Sequence, residues 1–550
     1  MKNLLFYLKL GSIPLGTADL PVHCLSEEIV GTWTLHLGQP QRTRSFCGHR
    51  HPDGEKFQPS VDKWLGSEAN RTEQVTLDQE HGAELHSDSH SKGMWTMIYD
   101  EGWEVRFEKL SFFAFSRFDF VDNKNYTSCG ATMVGWYNDD RNEWGCYAAI
   151  KDYPKVPSRL PKEKKISLVQ ETEEESRIQN DVPLELEWHL AKAKKINEEH
   201  ETWHAKVYPQ WVGKTYNELN KRAGIARSQT GVDLKKKPDS FIEKESCEDQ
   251  FKETHTKKGD LLSNLLSPTQ KPPRPCTLKA LAQTQTIDAA EDKRIRENFP
   301  KSFDWKNLGY LEPVMDQADC GSCYIVATMR MLTARHKWET KNKSADPWSI
   351  SFPLYCSEYN QGCQGGYAFL GSKWSHDVGL VPSKCAPYTT SGRCQITCDM
   401  SQEKRYRATD YHYVGGWYGN STVFEIMDEL YNNGPLVVSF EPSDEFMFYA
   451  GGVYLSAPTK LNMGWQKVDH AVLLVGWGEE FGQKYWLVQN SWGTDWGEKG
   501  YFRIARGQND SGIESIVVAA KVVEEDRPEM LKNFLNTLQT ESAAIKPDPL

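Results

Sequence analysis

The sequence predicts an α+β chain: a small antiparallel β-barrel first, then a larger two-lobed region with a helical half and a sheet half. Three observations carry this reading. Between Asp19 and about Pro154 apolar residues step by two, as in Trp33, Leu35, Leu37, then Trp95, Met97, Tyr99, then Val105, Phe107 and Phe113, Phe115. Such alternation, rich in aromatics, marks strands with one face on a core. After Cys323 comes a run apolar on more than one side, from Ile325 through Met329 and Leu332 to Ala334, which reads as a buried helix. From about Tyr411 to Ala520 the chain is rich in Val, Tyr, Trp and Gly and reads as sheet. A helical half beside a sheet half is the α+β arrangement.

The elements follow in order. The chain has 550 residues, more than one core ordinarily holds. Residues 1–18 read as a signal peptide: Lys2, an apolar stretch around Leu4–Leu10, and the small residues Gly16, Thr17 and Ala18 before Asp19. Residues 19–154 form the expected barrel, and its Cys24, Cys47, Cys129 and Cys146 allow three pairings between which spacing does not choose. Residues 155–298 are charged and Pro-broken, with Lys271-Pro-Pro-Arg-Pro275 the clearest breaker, and read as a removable or flexible linker. Within it, 184–220 is expected to be helical, with Leu186, Trp188, Leu190 and Ala193 on one face. Cys247 and Cys276 lie in the polar part. Residues 299–520 hold the chemistry, and 521–550 are an appended tail with a short helix at Met530–Leu535.

That chemistry centres on Gln317-Ala-Asp-Cys320-Gly-Ser-Cys323-Tyr324. A cysteine opening a buried helix meets unpaired N–H groups and the positive end of the dipole, which favour thiolate, the attacking form. A nucleophile needs a base and the base an orienting group. His470, in an apolar strand-like run, lies 147 residues after Cys323, and Asn490, in Gln-Asn-Ser-Trp-Gly, lies 167 after it. The order Cys, His, Asn is that of one variant of the catalytic triad. Singly, each has a plainer reading: a bridge partner, a core histidine, a loop asparagine. Together, in order and with their own flanks, they read as a site. Cys356, Cys363, Cys385, Cys394 and Cys398 read as bridges, and an odd total of 13 cysteines leaves room for one thiol. Gly365 and Gly366 allow a backbone to approach a ligand closely.

These motifs are similar to those of the papain family of cysteine peptidases, C1 type. Tyr324 after the nucleophile, Tyr411-His-Tyr-Val-Gly-Gly-Trp-Tyr418, Ile513-Glu-Ser-Ile516 and Asp19-Leu-Pro-Val-His-Cys24 resemble its cathepsin C, or dipeptidyl peptidase I, branch. The resemblance implies roles. Cys323 is the nucleophile, His470 the acid and base, Asn490 its orienter and Gln317 the oxyanion donor. Gly365, Gly366, Trp492 and Ile513 contact substrate. Asp19 binds the substrate's α-ammonium once residues 1–18 are gone, and the barrel closes the cleft beyond two residues. The resemblance implies disulfides Cys24–Cys129, Cys47–Cys146, Cys320–Cys363, Cys356–Cys394 and Cys385–Cys398. It also implies an excised activation peptide, a nick separating a heavy chain to about 456 from a light chain from about 469, and a homotetramer. A chloride site falls on Tyr367, Phe369 and Tyr413, where Phe369 stands in place of a tyrosine and one hydroxyl is missing.

The expected activity is therefore removal of dipeptides from peptides and proteins with a free N-terminus, with no metal or organic cofactor. The rivals are an endopeptidase whose barrel leaves the cleft open, and a silent binding protein on the same fold. Net charge is −11, with no basic footprint for nucleic acid. No later apolar run is long enough for a membrane helix. Sequons at Asn70, Asn125, Asn342, Asn420 and Asn509, with the cysteines, suit the secretory route, ending in a lysosome-like compartment or outside the cell.

Overall fold

The computed structural model describes residues 24–50, 52, 59–152, 182–222, 289–400, 404–456, 470–524 and 531–536, with short gaps at 89, 122–123, 142, 216–217, 220–221 and 533. Asp19, the signal sequence, Cys247, Cys276 and the expected nick between 456 and 469 lie outside them. The first region has nine strands: β1 (Gly31–Leu37), β2 (Arg71–Leu77), β3 (Gly82–Leu85), β4 (Lys92–Ile98), β5 (Gly102–Arg106), β6 (Leu110–Val121), β7 (Lys124–Thr132), β8 (Gly135–Asp139) and β9 (Trp144–Lys151). They pair in sequence order up to β6. The first half of β6 then pairs with β8, β8 with β9, and β9 with β1. This closes an antiparallel ring of eight strands, with β7 continuing from the second half of β6. Closure removes the open edges that a sheet this small would expose.

Alternation predicts the barrel interior where one face meets solvent. In β1, Trp33, Leu35 and Leu37 are buried and the residues between them are not. It fails at Phe112–Phe115, where all four are buried. Phe112 meets Tyr147 inside the barrel at 5.3 Å, while Phe113 points outward onto Tyr359 of the last region at 4.9 Å. Tyr99 leaves the strand pattern altogether and sits in the β4–β5 turn at φ 54°. Disulfides Cys24–Cys129 and Cys47–Cys146 staple the barrel.

The segment before the last region is not the loose linker or single helix that composition suggests. Helix α1 (Leu186–Glu199) is followed by the short strand β10 (Trp203–Ala205) and a turn of 3-10 helix at Pro209–Trp211. The buried face of α1 is His189, Ala193 and Ile196, whereas Leu186 and Leu190 are exposed. Burial here is decided by the partner surface rather than by hydrophobicity along the helix. A second helix, α2 (Ala289–Asn298), lies ahead of residue 299 and is tied through Asp292 to Lys484.

The last region has two lobes. Its sheet runs β10, β14 (Tyr449–Tyr454), β17 (Tyr501–Ala505), β16 (Gln483–Gln489), β15 (His470–Glu480), β13 (Leu436–Phe440), β18 (Ile516–Glu524) and β12 (Tyr406–Tyr413). The two-residue β11 (Phe303–Asp304) pairs with β15. Helix α3 (Cys323–Glu339) is buried around nearly its whole circumference, between this sheet and α4 (Ala368–Asp377). Disulfides Cys320–Cys363, Cys356–Cys394 and Cys385–Cys398 hold the loops of the helical lobe.

Barrel and helical lobe meet across buried charge. Lys373 of α4, 2% exposed, lies 3.1 Å from Glu104 of β5 and 3.1 Å from Asp377. Tyr411 donates to Glu104 at 2.7 Å, and Arg106 donates to Glu104 at 2.8 Å. Burial alone would raise the Glu104 carboxyl, but Arg106 and Lys373 overcome it and hold it down at about 2. A depressed carboxylate stabilises the fold above its unfolded value near pH 4 and loses that contribution only as pH falls through about 2. The two regions are therefore expected to stay docked at pH 4–5 and to separate as pH approaches 2, which small-angle scattering across that range would show. Lys373→Met leaves the buried Asp377 carboxylate without its cation and Glu104 with Arg106 alone, and should cost about 3–5 kcal/mol in thermal unfolding, with partial recovery on adding Glu104→Gln.

Candidate active site

The helical lobe supplies the thiol. Cys323 is the first residue of α3, is 4% exposed and takes no part in a disulfide. The loop before it is set by the Cys320–Cys363 bond and by the Gly321 N–H, which donates to the Cys363 carbonyl at 2.8 Å. The sheet lobe supplies the base. His470 opens β15, opposite Phe440 of β13, and is 2% exposed.

Hydrogen bonds assign the imidazole tautomer. The Ser491 N–H donates to Asn490 Oδ1 at 2.8 Å, which orients the amide oxygen. That oxygen is 2.8 Å from His470 Nε2, so Nε2 must carry hydrogen and Nδ1 is the basic nitrogen. Nδ1 is buried and has no hydrogen-bond partner among the described residues. Trp492 stacks on the ring at 4.9 Å, covering the His470–Asn490 bond. Burial pushes the imidazole down to about 4, the bond to Asn490 opposing it. The ring is thus neutral at higher pH, and a thiolate on Cys323 would favour its protonated form again.

Gln317 joins the lobes. It is fully buried. Its backbone N–H donates to the Ser491 carbonyl at 2.8 Å, and Ser491 Oγ donates to its Oε1 at 2.5 Å. With Oε1 held as an acceptor, Nε2 is aimed at Cys320 O, 2.9 Å away. Tyr388 donates to the Gln317 carbonyl at 2.8 Å and meets Ser322 Oγ at 2.8 Å. Ala318, at φ 54°, takes a left-handed conformation that a residue with a Cβ adopts only at a cost. Motif reading misses Ser491 and Tyr388. Ser491 was findable as part of Asn-Ser-Trp-Gly, whereas nothing in the sequence marks Tyr388.

The remaining expected residues spread along the walls. Gly365 and Gly366 follow the Cys320–Cys363 bridge. A Cβ on Gly366 would fall 2.3 Å from Asn360 Oδ1, which accepts the Tyr367 N–H, so only glycine fits. Ile513 is buried beside the turn at Asp510–Gly512, whose Ser511 carbonyl accepts from Glu441, next to Phe440. The barrel reaches this wall too. Tyr99 stacks on Tyr367 at 5.1 Å, and Tyr367 donates to Glu101 at 2.9 Å. Two of the three expected chloride positions, Tyr367 and Phe369, have their side chains engaged elsewhere. Phe369 has no donor and stacks on Tyr413 at 4.5 Å, and the Tyr367 hydroxyl is already spent on the buried Glu101 carboxylate.

The family model for papain family cysteine protease matches residues 299–521, and that for the cathepsin C exclusion domain matches residues 19–151. A gut-specific cysteine proteinase of Caenorhabditis elegans is 35% identical over 266 residues, covering 44% of this chain and 79% of that protein. The chain belongs to the papain family of cysteine proteases. Cathepsin C of Schistosoma mansoni is 26% identical over 520 residues, 91% of this protease and 94% of that one. Dipeptidyl aminopeptidase 1 of Plasmodium falciparum is 26% identical over 674 residues, 92% of this protease and 93% of that one.

In this papain-family protease the segment before residue 223 lies across Gln317 and Trp492. The Arg222 carbonyl accepts from Gln317 Nε2 at 3.1 Å and from Trp492 Nε1 at 3.0 Å. The Arg222 guanidinium pairs with Asp316 at 3.2 Å and Asp319 at 3.1 Å, and Lys214 pairs with Asp319 at 2.9 Å. Trp211 packs edge-on to Trp492 at 6.0 Å, and β10 adds to the edge of β14. Partial burial would raise the Asp319 carboxyl, but its bonds to Lys214 and Arg222 pull it below the usual range. The two Asp319 pairs hold above about pH 4 and fail only as pH falls through its lowered value, so mild acid alone leaves them in place. A thiol-directed active-site probe should label Cys323 at least about tenfold faster after the segment is cut away. Asp316→Asn with Asp319→Asn should speed labelling of the uncut chain roughly three- to fivefold, as expected for exposed ion pairs.

Proposed function

We propose that this chain is a dipeptidyl aminopeptidase that releases dipeptides from the N-termini of peptides and proteins through a thioester. The observation that carries the proposal is a closed barrel, matched to the cathepsin C exclusion domain, whose β4–β5 turn packs against Tyr367, directly after the Gly365-Gly366 wall. A papain-type cleft is open along its length; one closed at this wall accepts only a short N-terminal stretch. The Cys24 N–H donates to the Asp100 carbonyl in the same turn at 2.9 Å, and Asp19 lies five residues before Cys24 in the chain. Its carboxylate would bind the substrate ammonium as a charge-assisted pair, setting the distance to the thiol.

Cys323 attacks the carbonyl after the second residue, its proton passing to His470 Nδ1. The tetrahedral oxyanion takes the Cys323 N–H and Gln317 Nε2, the donor that Arg222 occupies before processing. His470 then protonates the leaving amine, and a water deprotonated at Nδ1 hydrolyses the thioester. Asn490 holds the ring in the tautomer this needs, and Trp492 keeps water from their bond. Processing peptidases excise the segment that holds Arg222, and the oxidising cysteine framework suits the secretory and lysosomal route. Assembly as a homotetramer and the nick between 456 and 469 belong to the same proposal. Chloride does not.

The test uses processed protein with reductant at mildly acidic pH. A dipeptide-coumarin amide with a free amine should be cleaved at least about a hundredfold faster than its N-acetyl form, the price of leaving a charge partner unpaired. Equal rates would point to an endopeptidase with an open cleft. Cys323→Ala should abolish turnover, and Gln317→Ala should lower kcat about 100- to 1,000-fold with little change in KM.

A further inference from the structure

The residues after the last strand have no part in the triad or the cleft walls, yet two of them are buried. Leu531 is 3% exposed and Phe534 is 4% exposed. Phe534 touches both halves of the molecule at once. Its ring meets Phe46 of the barrel at 5.6 Å, and Trp374 and Phe352 of the helical lobe at 5.5 and 6.1 Å. All three contacts are edge-to-face, the favoured geometry for aromatic pairs. Leu531 lies over Gly379, just past α4.

The place matters. Barrel and protease are joined at two ends. At one, Tyr99 and Glu101 meet Tyr367 beside the cleft. At the other, Arg44 pairs with Glu358, and Trp374 donates its Nε1 hydrogen to the same carboxylate at 2.9 Å. Phe534 packs on Trp374 and on Phe46, two residues from Arg44, so it seals this second end and keeps water from the Arg44–Glu358 pair. A buried ion pair keeps its strength only while water is excluded. A barrel pinned at both ends cannot rock away from the cleft wall.

We propose that segment 531–536 is a clasp whose Phe534 seats the barrel on the protease, making it a positioning residue for dipeptidyl selectivity. It touches neither substrate nor thiol and acts through where the barrel's cleft-side turn is held. The proposal rests on the reading that this barrel closes the cleft.

The experiment compares processed wild type, Phe534→Ala, Phe534→Met, Phe46→Ala and the Phe46→Ala/Phe534→Ala double variant, each with active sites titrated by a covalent thiol inhibitor. The readout is the ratio of free-amine to N-acetyl dipeptide-coumarin turnover, together with mass analysis of fragments from an N-terminally blocked peptide. Phe534→Ala should lower the ratio by roughly tenfold, Phe46→Ala by no more, and the double variant little beyond Phe534→Ala, because the Phe46–Phe534 contact is already lost in each. Internal fragments of the blocked peptide should appear with them. Phe534→Met, which fills a similar volume, should restore most of the ratio. If Phe534→Ala slows both substrates equally, or changes only the unfolding temperature, the clasp has no part in selectivity and the inference is overturned. A wild type that cleaves both substrates equally would instead overturn the dipeptidyl reading itself.

Discussion

The hydrogen bonds of Gln317 are what the rest of the site depends on. Cys323 and His470 belong to different lobes, so their relation is only as firm as the link between a loop at Gln317 and the loop after β16. The Gln317 N–H on Ser491 O and the Ser491 hydroxyl on Gln317 Oε1 make that link inside the core. The same serine orients Asn490 through its N–H, and Asn490 orients His470. One residue pair therefore fixes the Gln317 amide, the tautomer of His470 and the register of the lobes. Backbone strain at Ala318 is the local cost of aiming the amide.

The segment before residue 223 is seated on the same glutamine. Its Arg222 carbonyl accepts from Gln317 Nε2 and Trp492 Nε1. The anchor is ionic on its solvent side, through Asp316 and Asp319, and apolar beneath, through Trp211. The barrel interface divides its labour differently. Glu104, Lys373 and Asp377 are buried and mutually compensated, and Glu104 keeps its charge in mild acid. Tyr359 packs on Phe113 of the barrel and donates to Asp377.

Much of this was legible in the chain. The barrel strands followed from period-two alternation, and the long helix from an apolar run of the right length. Cys323, His470, Asn490 and Gln317 were singled out because each sits in its own recognisable flank. What failed did so for a physical reason. Phe112–Phe115 break alternation because the outer face of β6 is covered by another region. The face of α1 was misread because Leu186 and Leu190 find no partner surface while His189 does. Segment 182–222 has the composition of a linker, yet it packs, because the groove it enters supplies the apolar contacts it lacks.

By itself the sequence determined the local terms: which residues can be nucleophile, base and orienter, which stretches can be strand or helix, and where glycine is needed, as at Gly366. These depend on side-chain chemistry and on neighbours a few places away. Only the tertiary structure decided which groups from distant stretches share a hydrogen bond or a buried charge. That Ser491 holds Gln317, that the Arg222 carbonyl rests on Gln317 Nε2, that Glu101 spends the Tyr367 hydroxyl, and that Phe534 bridges two regions are all contacts between residues more than 90 apart in the chain. Periodicity carries no information about such pairs, because their energy depends on burial and geometry that exist only once the lobes have closed on each other.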